Sequence, residues 1–94
     1  MTVRNLMEEV VKQCLKDLIH NQEKLHDLDD KLQADIMAIA LNSLPPKYVS
    51  SVEGEMFVKT QIRQMEPDVF RELSNAIDKV STGRKGSFNS AEEA

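Results

Sequence analysis

The sequence predicts an all-α fold, a small bundle of three to four helices, and two observations lead to that prediction. Apolar residues recur every three or four positions in several segments, which is the spacing of one helix face. Aromatic residues make up only 4% of the 94 residues and tryptophan is absent, a composition typical of aliphatic helical proteins. A chain of this length forms one domain with a small core, so association with a second copy would add buried surface.

The first helix is predicted from Val3 to Ile19, where apolar residues keep helical spacing without a break. The opposite face carries charged residues of both signs, such as Glu8 and Lys12 at i,i+4, and is typical of a solvated surface. Cys14, the only cysteine, lies in the apolar stripe. We therefore expect a buried, reduced thiol.

A second helix is predicted to follow an aspartate N-cap, at position 27, 29 or 30, and to run to about Leu44. Its segment 34–41 is apolar around most of the circumference, which places this helix centrally in the core or at a subunit interface. Pro45 and Pro46 end it, because a proline lacks the N–H donor and disfavours helical geometry in the residue before it.

After the prolines the chain returns through an extended corner and enters a third helix from about Glu55, with Ser50 or Ser51 as its N-cap. Pro67 either begins a fourth helix or kinks one long helix. Residues 82–94 are mostly small and polar and contain glycine, so we expect a disordered tail. The helical domain is thus predicted to span residues 1–81.

Composition excludes several classes of function. The net charge of −4 lacks the positive field that DNA or RNA duplex binding requires. The sequence has no signal-peptide pattern and no apolar run long enough to span a bilayer, so we expect a cytoplasmic protein without membrane insertion. It contains no recognisable nucleophile and base pattern and no glycine-rich phosphate loop, so an enzyme is not expected. His20, His26 and the nearby aspartates match no metal-ligand spacing.

Two polar residues stand out on the second helix. Asp35 and Asn42 are seven residues apart, which places them nearly on one line of the helix. One interpretation is internal capping, in which Asp35 bonds a neighbouring helix end and Asn42 bonds the corner that follows. The other is a pocket roofed by Pro45 and Pro46, with Tyr48 offering a flat apolar face and a hydroxyl for stacking on a base.

Basic residues near this corner also have two interpretations. Lys59 and Arg63 lie one turn apart on the third helix and could hold a phosphate. They could equally form surface salt bridges to Glu55 or Glu66. Arg4 and Asn5, at the start of the first helix, are another candidate polar contact, and Asn5 could also serve as a helix cap.

Several of these residues lie in sequence strings that resemble a known family. The strings "NLMEEVV", "DIMAIALNSLPPKYVSSVEGE" and "QIRQMEPDVFRELSNAIDKV", in this order over residues 3–81, resemble the late competence development family ComFB. The resemblance implies a small all-helical symmetric homodimer without catalytic activity. It also implies a link to natural competence and type IV pilus behaviour, and to receptors for cyclic di-GMP and cyclic di-AMP.

The resemblance also implies ligand-contacting positions. Carried over onto this sequence, the ligand-binding residues are Asn5, Glu9, Asp35, Asn42, Pro45, Pro46 and Tyr48, with Arg63 added on grounds of charge. Many relatives carry a cysteine cluster that can hold zinc between the first two helices, whereas this chain has "HNQEKLHDLDDKLQAD" there, so no metal or cofactor is expected.

The predicted function is therefore a cytoplasmic dimeric receptor that takes up a cyclic dinucleotide and passes the signal to an unidentified downstream protein. The two-fold symmetry of such a dimer matches that of the ligand. The alternative is a ligand-free dimeric helical adaptor in competence regulation. In that case the second helix is only a dimer core and the polar residues only hold the corner.

Overall fold

The computed structural model describes residues 2–86, with side chains over residues 2–81. Within that range the protein is mostly helical, as predicted. Four α-helices form the bundle: α1 (Leu6–Asn21), α2 (Asp30–Asn42), α3 (Val52–Gln64) and α4 (Glu66–Gly86). A short 3₁₀ helix, Glu23–Leu25, connects α1 to α2. The predicted homodimer stays a prediction.

Two short strands accompany the helices and were not predicted. Strand β1 (Arg4–Asn5) precedes α1, and strand β2 (Tyr48–Val49) follows the double proline. They pair antiparallel, with Arg4 opposite Val49 and Asn5 opposite Tyr48. Consequently α1 begins at Leu6 rather than at Val3, although Val3 continues the helical spacing of the apolar residues.

Side-chain caps determine where the helices begin. Asn5 caps α1, Asp29 caps α2 through a 2.8 Å bond from the Leu32 amide, and Ser51 caps α3 through a bond from the Gly54 amide. Each cap satisfies one amide that the first helical turn leaves without an intrahelical partner. Aspartate capping of α2 and a serine cap for α3 were expected from the sequence.

Helix α2 ends at Asn42, two residues earlier than predicted, and Ser43 forms its C-cap. The residue before Pro45 is biased away from helical geometry, which explains the early end. At the other proline, Met65 separates α3 from α4. Pro67 therefore begins a fourth helix, where the missing donor costs nothing because first-turn amides have no intrahelical acceptor.

The core lies between α1, α2 and α4, and α2 packs most extensively on α4. Its largest fully buried side chains are Leu6, Met7, Val11, Ile36, Val69 and Leu73. Helix α2 contributes only Ile36 and Ala40 to the fully buried set, and Ala34 and Ala38 are exposed. The apolar pattern of α2 therefore covers one packed face and one open face of small side chains, so this helix is not buried all round within a single chain.

Residues 82–86 belong to the last helix, which runs to Gly86. The remainder of the predicted tail lies outside the described residues. No helix within the described range has both the length and the apolar character that a membrane crossing requires.

Candidate functional site

The candidate site is the segment Pro45 to Tyr48, here called the proline corner. It leaves the end of α2 and turns back as strand β2, so that its position depends on what holds the strand. The amide of Leu6 donates a 2.7 Å hydrogen bond to the carbonyl oxygen of Lys47. Together with the pairing of β1 and β2, this bond fixes the corner to the start of α1.

Asn5 strengthens the same connection through its side chain. Its Oδ1 atom accepts a 3.1 Å hydrogen bond from the Met7 amide and a 2.8 Å bond from the Lys47 amide. A carbonyl oxygen has two acceptor sites, so both are used within the protein. Asn5 is therefore a helix cap, as one interpretation of the sequence predicted, and also a bridge to the proline corner.

Tyr48 is presented to solvent by the corner. Its side chain is 63% exposed, whereas the next residue, Val49, is 6% exposed. Successive strand residues point to opposite faces, so the burial of Val49 directs Tyr48 outward. Pro45 and Pro46 are exposed beside it. The corner thus offers a rigid surface with one aromatic ring, held in place by the α1 N-terminus.

A chain of charged residues lies next to the ladder of β1 and β2. Arg4 pairs with both Glu9 and Glu55, and Lys59 Nζ lies 3.1 Å from Glu55 Oε2. The hydrogen bond from Lys59, followed by the nearby Arg4 charge, lowers the pKa of Glu55 below its usual value of 4.5. Lys59 therefore forms the surface salt bridge to Glu55 that the sequence allowed.

A shallow cleft of about 250 Å³ lies beside this charged chain. Its walls come from the segment before β1, from β2 and from the start of α3, and they are Thr2, Arg4, Val49, Ser50, Ser51, Val52 and Glu55. The cleft contains none of the predicted ligand residues, although Arg4 connects it to Glu9 and Val49 follows Tyr48.

Asp35 and Asn42 do not make the internal contacts considered from the sequence. Asp35 is partly exposed, and Lys31 Nζ of the same helix lies 3.3 Å from its Oδ2 atom. Asn42 is exposed and has no side-chain hydrogen bond to residues 2–81. The corner is instead held by Asn5, so both α2 residues face outward and remain candidates for contact with a ligand or a partner.

Arg63 lies in the last turn of α3 and is exposed. It forms no salt bridge with any side chain in the range 2–81, in contrast to Lys59 one turn earlier. The two basic residues therefore differ: Lys59 is paired with Glu55, whereas Arg63 has no salt bridge within residues 2–81.

Cys14 is buried, as predicted. Burial, with smaller contributions from Glu66 and Asp17, raises the pKa of its thiol to about 11. A thiol with so high a pKa is a poor nucleophile at neutral pH. Over the described residues, the His, Cys, Asp and Glu side chains form no group of three that could hold a metal ion.

The structure thus brings Asn5 and Tyr48 together across the ladder, with the two prolines beside them and Glu9 joined through Arg4. Arg4 and Lys47 are the additional residues of the site. Lys47 follows the double proline directly, but a single sequence contains no signal for its backbone contacts with Asn5 and Leu6. The pairing of Arg4 with Glu55 spans 51 positions and likewise leaves no local pattern.

The fold and the site define a small four-helix protein, over its described part, in which a proline corner is clamped to the N-terminus of the first helix. The sequence model of the family described as late competence development protein ComFB matches residues 4–84, and the chain belongs to this family. Neither the search of curated proteins nor the search of solved structures returned a match.

Proposed function

We propose that this late competence development protein is a homodimeric, non-catalytic receptor for a cyclic dinucleotide, cyclic di-GMP or cyclic di-AMP. On binding, it would pass the signal to a downstream protein that acts in natural competence and type IV pilus-dependent behaviour. The observation that supports the proposal most is the exposed Tyr48 ring on a corner that Asn5 and the Leu6 amide hold in place. A pre-positioned aromatic surface reduces the entropy lost when a base stacks on it.

The roles of the other residues follow from the chemistry of the ligand. A cyclic dinucleotide carries two phosphates and two bases, so its receptor needs cations and groups that recognise base edges. Lys47 on the corner and Arg63 on α3 supply positive charge, and arginine offers paired donors for a phosphate. Asp35, partly exposed, and Asn42, exposed, supply a carboxylate and an amide for base edges on α2.

Asn5 and Glu9 have supporting roles in this proposal. Because both acceptor sites of Asn5 Oδ1 are used by backbone amides, only its Nδ2 group is left as a donor to the ligand. Glu9 pairs with Arg4, which lies just before α1. We therefore expect Tyr48 and Asp35 to dominate binding and Glu9 to matter less.

Calorimetric titration with each nucleotide tests the proposal. We expect binding heat with at least one of them, a loss of most of that heat in Tyr48→Ala and in Asp35→Ala, and unchanged binding in the control Gln61→Ala. Gln61 is an exposed residue of α3 and was not assigned to the site. The absence of heat with both nucleotides at high micromolar protein would reject the receptor function.

A ligand-free adaptor is the second candidate, and the use of Asn5 within the protein favours it. If the polar residues only held the fold together, their removal would lower stability with or without nucleotide. For Asp35 the expected loss of stability is small, because its side chain forms one i,i+4 pair with Lys31, worth about 0.3–0.5 kcal/mol. Asp35→Ala should therefore keep its thermal midpoint, and a severe loss of stability would support the adaptor.

A further inference from the structure

Helix α3 has a packed face and an open face. Val58, Ile62 and Met65 point toward the core. The large hydrophobic side chains on the opposite side are exposed: Val52 at 72%, Met56 at 68% and Phe57 at 70%. Exposed apolar residues are normal when scattered singly, but three on one helix face form a patch that marks an interaction surface.

The open face also carries a polar pattern. At 100° per residue, the exposed residues of this side lie within about 140° of the helix circumference. They are Val52, Glu53, Met56, Phe57, Thr60, Arg63 and Gln64, and all are exposed. Positions 53, 56, 60 and 63 are spaced by three, four and three residues, which is the seam of a paired helix. An acidic residue begins this seam and a basic residue ends it.

The charges at the two ends are complementary under a two-fold axis. Within residues 2–81, neither Glu53 nor Arg63 forms a salt bridge. The two positions are separated by about 15 Å along the helix axis. If two copies of α3 pair antiparallel with the axis at the level of Val58, each Glu53 faces Arg63 of the partner subunit. The same register places Met56 opposite Thr60 of the partner subunit, where the small side chain allows close approach.

We propose that α3 is the subunit interface, an antiparallel pair of α3 helices sealed by Met56 and Phe57 and closed at both ends by Glu53–Arg63 ion pairs. This inference rests on the homodimer of the proposed function and specifies its surface. In this dimer Arg63 pairs with the carboxylate of Glu53 of the partner subunit, so the positive charge that the proposed receptor offers to a phosphate comes from Lys47.

The open face of α2 is the rival surface. It exposes Ala34 and Ala38, whose small side chains offer little apolar area, and its charged residues Lys31 and Asp35 already pair with each other. Helix α3 exposes much larger side chains and two charges without partners in the described chain. The interface is therefore assigned to α3.

The oligomeric state of matched variants tests this assignment. Light scattering and sedimentation of the full chain should give a dimer, alone or with cyclic di-GMP or cyclic di-AMP added. Met56→Glu should give a folded monomer by circular dichroism, with the dimer dissociation constant raised at least a hundredfold. Ala38→Glu on α2 should stay dimeric. A wild-type chain that is monomeric under all three conditions, or a dimer that breaks with Ala38→Glu and survives Met56→Glu, overturns the assignment.

Charge reversal tests the register. Glu53→Arg and Arg63→Glu should each weaken the dimer about tenfold, because like charges then meet at both ends. The double variant restores the opposite charges and should return the dissociation constant to within a fewfold of wild type. Equal weakening in the double variant overturns the proposed pairing. Calorimetry of the wild-type chain with the nucleotides separates the two proposals. Binding heat, together with a dimer that these substitutions leave unchanged, retains the receptor and rejects only the interface.

Discussion

Helices α1 and α3 begin in the same way and are used differently. Each follows an extended segment and starts with a polar side-chain cap, Asn5 for α1 and Ser51 for α3. Helix α1 then buries five residues in the core, whereas α3 buries only Ile62. The comparison teaches that a regular apolar spacing does not by itself determine burial. Where the first helix is enclosed by α2 and α4, the third offers much of its apolar surface to the outside.

The two caps also differ in how many hydrogen bonds they accept and in how deeply they are buried. Asn5 accepts two amide hydrogen bonds, one from α1 and one from the proline corner, and it is partly buried. Ser51 accepts one bond, from Gly54, in an exposed position. The Asn5 cap therefore connects α1 to the proline corner, while the Ser51 cap bonds only to the first turn of its own helix.

The largest difference is expected for two methionines that receive the same truncation. Met7 of α1 is 0% exposed and Met56 of α3 is 68% exposed. Met7→Ala should lower the free energy of unfolding by about 2–5 kcal/mol, because it removes buried methylenes and leaves a cavity. Met56→Ala should change it by less than about 0.5 kcal/mol in the isolated chain. Urea denaturation at concentrations where light scattering reports a monomer measures both, and equal losses would break the comparison.

The caps are expected to differ by a smaller amount. Asn5→Ala should cost about 1–3 kcal/mol, because two backbone amides lose their acceptor, against about 0.5–1 kcal/mol for Ser51→Ala. Asn5→Asp is the matched control, since it keeps the acceptor oxygens and places a negative charge at a helix N-terminus. Hydrogen exchange of the Lys47 amide should accelerate only in Asn5→Ala. An unchanged Lys47 exchange rate in that variant would contradict the bridging role of Asn5.

Cys14 tests how well the packed face of α1 is shielded from solvent. With its thiol pKa raised to about 11 from 9.0, the neutral form is favoured in the folded state. The resulting stabilisation is complete below pH 9 and is lost as the pH rises toward 11, because the unfolded thiol ionises first. At pH 8 an aromatic disulfide reagent should label Cys14 only after denaturant is added. In Cys14→Ala the loss of stability between pH 9 and 11 that is due to this thiol should disappear. Rapid labelling of the native protein would contradict the burial of Cys14.

Glu55 of α3 should show the smallest effect. Its pKa is lowered by the hydrogen bond from Lys59 and the charge of Arg4, so its contribution to stability is present above pH 4.5 and is lost as the pH falls through the lowered pKa. In Lys59→Gln the Glu55 pKa should move back toward 4.5, measured by the carboxyl chemical shift in an NMR titration. The same pKa in both proteins would mean that Lys59 and Glu55 are not paired in solution.

Much of the helical content of this protein could be predicted from the sequence because caps and helical spacing are local signals. Asp29 as the cap of α2 and Pro67 at the start of α4 are examples. The pairing of Arg4 with Val49 could not be predicted, since two-residue strands have no periodicity to detect. The exposed side that α2 has in the single chain could not be predicted, because Ala34 and Ala38 count as apolar in a pattern while requiring little burial.

The candidate site was predicted as a set of residue types and not as an arrangement. The sequence indicated an asparagine at the start of the first helix and a double proline followed by tyrosine. It did not indicate that the asparagine holds the proline corner, because that contact joins residues 42 positions apart. Long-range backbone contacts of this kind depend on the packing of α1 against β2, which no single segment contains.

The bond from the Lys47 amide to Asn5 has a consequence for synthesis on the ribosome. Residue 5 leaves the exit tunnel long before its partner at position 47, so the beginning of α1 lacks its tertiary acceptor and donor contacts while α2 is still being made. Formation of this bond requires the distant segments around Asn5 and Lys47 to meet. Such a long-range contact forms more slowly than a local turn. Because α2 packs mainly on α4, we expect the nascent chain to stay sensitive to proteases near Asn5 until α4 has emerged as well, and to become resistant only then.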